Sequence, residues 1–285
     1  MDKAAGRDIR LIALDLDGTT FTTEKKITEN VQAAIGEAIR AGIIVMPATG
    51  RPACALPEDF VRIPGVRYAL TSNGGAVWDL EQHQILQGAF METEMACRVV
   101  DALLAMDALV EVYHSGICYA DRRGYERAIT RPNGFPNWFV DYVRISRTPV
   151  DDLRGEIYSG KLHIEKFLAS FERPADRDRA MALMQEMDGI NVSYGNEFNM
   201  EINDSAADKG RCLLQFAASM GITRDQVMAC GDTKNDLTMM QAAGYAVAMG
   251  NASDEIRAAA DDITLSNDED GVAVAIRRVL VRREL

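Results

Sequence analysis

The sequence predicts an α/β protein whose parallel-sheet core is interrupted by an inserted α+β domain. At both ends of the 285-residue chain, short apolar strands alternate with helical segments. The middle of the chain instead follows a strand–strand–helix order, which is typical of an α+β domain. We therefore expect a discontinuous Rossmann-like core formed by residues 1–88 and 193–285, with an inserted α+β domain at residues 89–192.

The first predicted strand, residues 9–14, is an almost wholly apolar run that ends at two carboxylates, Asp15 and Asp17. A strand covered on both faces needs such a run. A helix that Thr28 can cap follows, and then a second apolar strand at residues 43–46. Strand, helix and strand in this order form a βαβ unit, which predicts a parallel pair.

A third strand at residues 66–70 leads into an Asn-Gly turn at Asn73 and a small hairpin. In the insert, we predict strands at 109–119 and 161–167, one or two strands at 190–202, helices at 91–106 and 175–187, and an irregular aromatic stretch at 125–142. The alternation of strands and helices returns from Lys209 onward and completes the core.

Charge and cysteine content narrow the class of protein. The chain carries 31 basic and 43 acidic side chains, a net charge of −12, and no block of basic residues. Nucleic acid and membranes are therefore not expected as partners. Five scattered cysteines without a Cys-x-x-Cys pair favour reduced thiols. No apolar run has membrane-span length, and the first eight residues do not resemble a secretory signal. We expect a soluble, cytoplasmic protein.

The carboxyl ends of parallel strands share one sheet edge, where Asp15, Asp17, Thr49 and Lys209 are expected to meet Asp232, Asn235 and Asp236. Adjacent carboxylates repel each other, which implies a divalent metal, an acid/base pair, or both. Asp15 can attack phosphorus when cations neutralise the phosphate. Asp17 can protonate the departing alcohol and then accept a proton from water, provided that its pKa is raised.

Magnesium suits such a site because it binds hard oxygen ligands and retains several waters. Asp15, Asp232 and the backbone carbonyl of Asp17 are the predicted ligands, and Asp236 is expected to hold a coordinated water or to bind as well. Lys209 is expected to offset the negative charge and to contact both Asp15 and the phosphate.

Three further positions are candidates for substrate contact. The Thr49 hydroxyl and the Gly50 amide can donate to phosphoryl oxygens. Arg51 either binds substrate or pairs with a surface acid, and Asn73 either contacts ligand or serves only the turn.

Five motifs occur in a fixed order: DLDGT at 15–19, ATGR at 48–51, SNG at 72–74, DKG at 208–210 and GDTKND at 231–236. A further phrase, AMGNA, follows at 248–252. Together they resemble the motif set of the Cof-type branch of the haloacid dehalogenase-like phosphatases, which carry a large inserted cap. The resemblance implies a nucleophile at Asp15, an acid/base at Asp17, phosphate binding by Thr49 and Lys209, and magnesium binding by Asp15, Asp17 and Asp232. It also implies a phosphate contact for Asn235.

The expected activity is magnesium-dependent hydrolysis of a small phosphate monoester through an aspartyl-phosphate on Asp15. The resemblance implies sugar phosphates or phosphorylated cofactors and their precursors as substrates, selected by the cap, with the chain a monomer or homodimer. Two alternatives stay open. A phosphomutase would return the phosphoryl group to a sugar, although the insert lacks a basic cluster for a second phosphate. A non-catalytic phosphate-binding module is less favoured because every catalytic side chain is present.

Overall fold

The computed structural model describes residues 8–131 and 134–281. Residues 1–7, which belong to the amino-terminal segment that we predict is not a secretory signal, lie outside the described residues. The strands are β1 (Leu11–Leu14), β2 (Ile44–Pro47), β3 (Tyr68–Thr71), β4 (Ala76–Asp79), β5 (Gln84–Gly88), β6 (Leu109–His114), β7 (Ile117–Asp121), β8 (Thr148–Val150), β9 (Ile164–Ser170), β10 (Ile190–Ser193), β11 (Asn199–Asp204), β12 (Val227–Gly231), β13 (Tyr245–Ala248) and β14 (Asp262–Ile263). The helices are α1 (Glu29–Arg40), α2 (Glu58–Val61), α3 (Thr93–Leu104), α4 (Arg122–Thr130), α5 (Asn137–Ser146), α6 (Leu153–Tyr158), α7 (Pro174–Gln185), α8 (Lys209–Ser219), α9 (Leu237–Ala242), α10 (Asp254–Ala259) and α11 (Gly271–Leu280).

The first of two compact units contains a five-stranded parallel sheet in the order β14-β13-β12-β1-β2. Its ranges are Met1–Arg51, Leu56–Gln87 and Asp208–Leu285. All four residues of β1 are buried between β12 and β2, as a doubly covered strand requires. The predicted α/β class with a parallel-sheet core is confirmed.

The predicted third strand begins a separate sheet, β3-β4-β5, rather than joining the parallel one. A single parallel bridge between Ala48 and Leu70 links the two sheets. The loops after β1, β2 and β3 therefore still lie near one edge.

The second unit contains a six-stranded sheet in the order β10-β11-β9-β6-β7-β8. Its ranges are Pro52–Ala55 and Gly88–Ala207. β11 pairs antiparallel with both β9 and β10. The inserted unit consequently extends to Ala207, and the expected resumption of the core at residue 193 is corrected to Asp208. The sequence places a strand here, but only its hydrogen-bonding partners assign that strand to a unit.

Two local expectations for the insert were wrong. Residues 109–119 are not one strand but the hairpin of β6 and β7, because Ser115 and Gly116 take positive φ angles of 49° and 73° and reverse the chain. The aromatic stretch at 125–142 lies largely in helices α4 and α5. Its aromatic side chains Phe135 and Phe139 are buried in a small apolar cluster, so they pack rather than leave the chain irregular.

Among the described residues, no helix combines the length and the apolarity needed to span a membrane.

Candidate active site

Asp15 follows β1 directly and is held at the centre of the sheet edge. Its backbone N–H donates to the carbonyl of Cys230 on β12 at 3.1 Å, which continues the parallel ladder by one residue. The Thr20 hydroxyl donates to the Asp15 carbonyl at 2.5 Å. Asp15 is only 4 % exposed as a residue. A buried carboxylate needs a cation or a proton, because desolvation penalises its charged form.

Lys209 supplies a cation to Asp15. Its Nζ lies 2.8 Å from Asp15 Oδ1 and 2.8 Å from Asp236 Oδ1, and the residue is 1 % exposed. Burial alone would lower the pKa of Lys209, but the two carboxylates outweigh it and hold the pKa above its usual value. Lysine is electrostatically disfavoured at a helix N-terminus, yet Lys209 is the first residue of α8. The two carboxylates explain this placement.

Asp232 and Asp236 lie on the loop after β12. Asp236 Oδ2 accepts from the backbone N–H groups of Asp232 at 3.0 Å and Thr233 at 3.2 Å, so one carboxylate orders the loop that carries the other. The Thr19 hydroxyl donates to Asp232 Oδ1 at 3.0 Å. Gly18, at φ +87°, leaves room for this carboxylate, since a Cβ there would lie 2.3 Å from Asp232 Oδ2.

The three buried carboxylates repel one another, and this repulsion contributes to raised pKa values for Asp15 and Asp232. Burial, then the charge of Asp236, raises the pKa of Asp15 well above its usual value, although Lys209 opposes the shift. Burial, then the same charge, raises the pKa of Asp232 to about 6. One ammonium against three carboxylates leaves two negative charges when all are ionised. The arrangement therefore favours a further positive charge.

This donor set fits a divalent cation. One carboxylate oxygen from each of Asp15, Asp232 and Asp236 lies within 4.8 Å of the others, and all three residues are buried. Within the part of the chain that the structure describes, Oδ2 of Asp15 and Oδ2 of Asp232 accept no hydrogen bond. Both oxygens of Asp236 already accept hydrogen bonds, which suits a supporting role. Buried, hard, anionic oxygens are the ligands of magnesium.

The side chain of Asp17 lies apart from this cluster and is bound by two cations. Arg51 donates to it through Nε at 3.0 Å and Nη2 at 2.9 Å, and Lys25 Nζ lies 2.9 Å from Asp17 Oδ1. Partial burial would raise the pKa of Asp17, but hydrogen bonds and charge from Arg51 and then Lys25 outweigh it and lower the pKa. The raised pKa that the acid role of Asp17 requires is therefore not found in this arrangement, because the neighbours are cations rather than carboxylates.

Thr49 follows β2 at the strand end beside β1. The Ala48 N–H donates to the Leu14 carbonyl at 2.8 Å, and Thr49 is 2 % exposed. Its hydroxyl accepts from the Arg51 N–H at 3.2 Å, and its carbonyl accepts from the Asn73 N–H at 3.1 Å. The structure therefore brings Thr49, Arg51 and Asn73 together.

Gly50 and Asn73 are in close contact. A Cβ at Gly50 would lie 2.7 Å from Asn73 Oδ1, and Asn73 has a left-handed backbone with φ 58°. Asn235, in contrast, is exposed, and its Oδ1 accepts from the Thr233 hydroxyl at 2.6 Å. Its predicted phosphate contact stays a prediction.

Three residues at the site were not selected from the sequence: Thr19, Thr20 and Lys25. Threonines after a DxDG motif carry a weak signal, since hydroxyls near carboxylates are common in turns. No sequence signal marked Lys25, because only the fold of its turn directs its side chain to Asp17.

Comparison with known proteins agrees with this geometry. A family model described as haloacid dehalogenase-like hydrolase matches residues 12–276. The chain is 28 % identical over 270 residues to the 5-amino-6-(5-phospho-D-ribitylamino)uracil phosphatase YcsE of Bacillus subtilis, covering 95 % of each chain. It is 26 % identical to the pyridoxal phosphate phosphatase YbhA of Escherichia coli, covering 95 % of this chain and 99 % of YbhA.

Solved structures show the same fold. A haloacid dehalogenase-like hydrolase from Bacteroides thetaiotaomicron is similar with a TM-score of 0.81 and 25 % identity, covering 95 % of this chain and 99 % of that one. A family match over both halves of the core, with phosphatase relatives aligned almost end to end, establishes that the chain belongs to the haloacid dehalogenase-like hydrolases, in the Cof-type phosphatase branch that its motifs predicted.

Proposed function

We propose that this chain hydrolyses small phosphate monoesters with Mg²⁺, in two steps that pass through a phosphoryl group on Asp15. The observation that carries the proposal is the buried carboxylate of Asp15, fixed by Lys209 at 2.8 Å and accompanied by two further carboxylates. A carboxylate so placed is prepared for attack on an electrophile that arrives with a cation.

Each of these groups has a definite task in the proposed first step. Lys209 orients Asp15 by holding Oδ1, and Oδ2 is the oxygen that remains to attack phosphorus or to meet the metal. Magnesium, bound by Asp15 and Asp232, would supply positive charge that offsets the phosphoryl oxygens. The Thr49 hydroxyl accepts from Arg51 N–H and retains its own hydrogen to donate to a phosphoryl oxygen.

Asp17 is the proposed acid and base. A phosphoryl dianion bound beside it adds negative charge, which raises the pKa of Asp17 from its lowered resting value and favours uptake of a proton. That proton goes to the departing alcohol as the ester P–O bond breaks. The resulting carboxylate then accepts a proton from the water that attacks the aspartyl-phosphate.

The relatives supply a guide to substrate class. One is named for a phosphorylated ribitylaminouracil and another for pyridoxal phosphate, both phosphorylated cofactors or precursors. We propose a metabolite of that class or a sugar phosphate for this chain, selected by the second unit, and the cytoplasm as the location.

Phosphate release from a panel of phosphorylated metabolites tests the proposal. We expect release with Mg²⁺, loss with EDTA, and recovery when Mg²⁺ is restored. Asp15→Asn should abolish turnover, whereas Asp254→Asn, an exposed carboxylate on α10, should leave it unchanged. Borohydride added during turnover should convert Asp15 to homoserine, which peptide mass spectrometry detects.

Three results would contradict the proposal: turnover in EDTA, turnover in Asp15→Asn, or no phosphate release from any member of the panel. Formation of a sugar phosphate isomer without free phosphate would instead support the phosphomutase alternative.

A further inference from the structure

Two cations share one carboxylate at the exposed side of the first unit. Arg51 and Lys25 both bind Asp17, whose side chain is 43 % exposed, so the group of three carries one net positive charge. Asp15 is nearly inaccessible by comparison, with 6 % of its side chain exposed. In the proposed reaction the leaving group departs at Asp17, so the anionic cluster is bordered there by a group of net positive charge.

Contacts other than those with Asp17 position the Arg51 guanidinium and the backbone of Lys25. The Arg51 guanidinium lies 5.2 Å from the ring centroid of buried Phe21. Lys25 has a left-handed backbone with φ 61°, which is uncommon for a lysine and indicates a position set by its surroundings. Its N–H donates to the Thr22 carbonyl at 2.9 Å.

The turn that carries Lys25 is also anchored to a distant part of the core. Thr23 donates to Asp268 through its N–H and its hydroxyl, each at 2.7 Å. The turn is therefore fixed to the core two residues before Lys25, whose ammonium lies beside Asp17.

In the proposed reaction, Asp17 donates a proton to the ester oxygen and so lies about 3 Å from it. The cationic nitrogens are 2.9 to 3.0 Å from the Asp17 oxygens. A nitrogen on the same carboxylate oxygen as the ester is therefore within about 6 Å of the ester oxygen, and a nitrogen on the other carboxylate oxygen is within about 8 Å. An anionic group two or three bonds beyond the ester oxygen is then within reach of both. A leaving group that has only hydroxyls forms weaker hydrogen bonds with these cations than an anionic group does.

We infer that Arg51 and Lys25 form a subsite for a second anionic group on the leaving portion of the substrate, so that phosphate monoesters bearing a carboxylate or a second phosphate are preferred over neutral analogues. Because this inference rests on the proposed function, the experiment measures the two separately.

Turnover of p-nitrophenyl phosphate reports activity, and two three-carbon ligands report the subsite through their inhibition constants. 3-Phosphoglycerate and glycerol 3-phosphate differ in a carboxylate against a hydroxymethyl group. We expect 3-phosphoglycerate to inhibit about tenfold more tightly, as a screened charge-assisted contact provides. Raising the salt concentration should reduce this ratio.

The variants assign the ratio to residues. Lys25→Met and Arg51→Met should each bring the two inhibition constants to within about twofold. Lys26→Met is the matched control, since Lys26 is the next residue and its Nζ pairs with Glu24 at 2.8 Å instead. It should preserve the ratio.

Equal inhibition by the two ligands in the unaltered protein, no inhibition by either, or a ratio unchanged in Lys25→Met and Arg51→Met would overturn the subsite while leaving the phosphatase activity established. Absence of phosphate release from p-nitrophenyl phosphate and from every member of the metabolite panel would instead refute the proposed function, and the subsite with it.

Discussion

Asp232→Asn should stabilise the metal-free protein while removing its activity. The Asp232 carboxylate is buried, and its pKa is raised to about 6. An unfolded chain gives an aspartate a pKa of about 3.9. Because the folded pKa is the higher one, the folded state loses stability relative to the unfolded state as the pH rises through the interval between these values. Asparagine has no such charge, and its Oδ1 can still accept from Thr19.

The magnitude follows from the two pKa values. Because protonation and folding are thermodynamically linked, the free energy of unfolding of Asp232→Asn should exceed that of the parent by about 1.5 kcal/mol at pH 5 and by about 3 kcal/mol at pH 8. Urea unfolding in EDTA measures it. A Trp138→Phe background confines tryptophan fluorescence to Trp78 in the first unit. Asp254→Asn, at an exposed position on α10, is the matched control and should show no such dependence on pH.

Added Mg²⁺ should reverse the ranking, because a ligand that binds only the folded state stabilises it and Asp232→Asn has lost a donor oxygen. The reasoning is refuted if Asp232→Asn is no more stable than the parent at pH 8 in EDTA, or if its advantage is the same at pH 5.

Three further changes probe the same framework. Lys209→Met leaves buried carboxylates without their ammonium and should cost about 3 to 5 kcal/mol in urea unfolding at pH 8 and abolish phosphate release; unchanged stability would contradict the pairing. Gly18→Ala should lower kcat about a hundredfold by displacing Asp232, whereas Gly42→Ala, at φ +79° with nothing within 4 Å of its Cβ, should only destabilise by about 1 kcal/mol; equal activity in both would count against the clash. Arg147→Met leaves the fully buried carboxylate of Glu111, in the second unit, without its ion-pair partner. It should lower the free energy of unfolding by about 3 kcal/mol, measured by Trp138 fluorescence in a Trp78→Phe background. A loss below about 1 kcal/mol would show that water reaches the pair.

Much of the core was predictable because its signals are local. Apolar runs that end in carboxylates or in Gly-containing loops marked β1, β2 and β12. The capping role of Thr28 also followed from the sequence, and its hydroxyl accepts from the Val31 N–H at 3.2 Å. The parallel order of these strands then required Asp15, Lys209 and Asp232 to approach one edge.

The second unit was less predictable, for physical reasons. Helices α4 and α5 form within an aromatic stretch that contains Gly and Pro. Its apolar side chains pack against one another only in the folded unit. The limit of the insert depended on the pairing of β11 with β9, and strand pairing leaves little trace in the strand itself.

The sequence alone determined which groups are available for chemistry: two carboxylates two residues apart, a lysine and two further carboxylates, in an order that identifies the family. Tertiary structure decided what each group faces. Thr19 reaches Asp232 across 213 residues. Arg51 and Lys25 converge on Asp17 and lower its pKa, whereas the acid role that the sequence suggested for Asp17 requires a raised pKa. Charge and pKa depend on distances of a few ångströms between chain segments remote in sequence, and only the folded chain sets those distances.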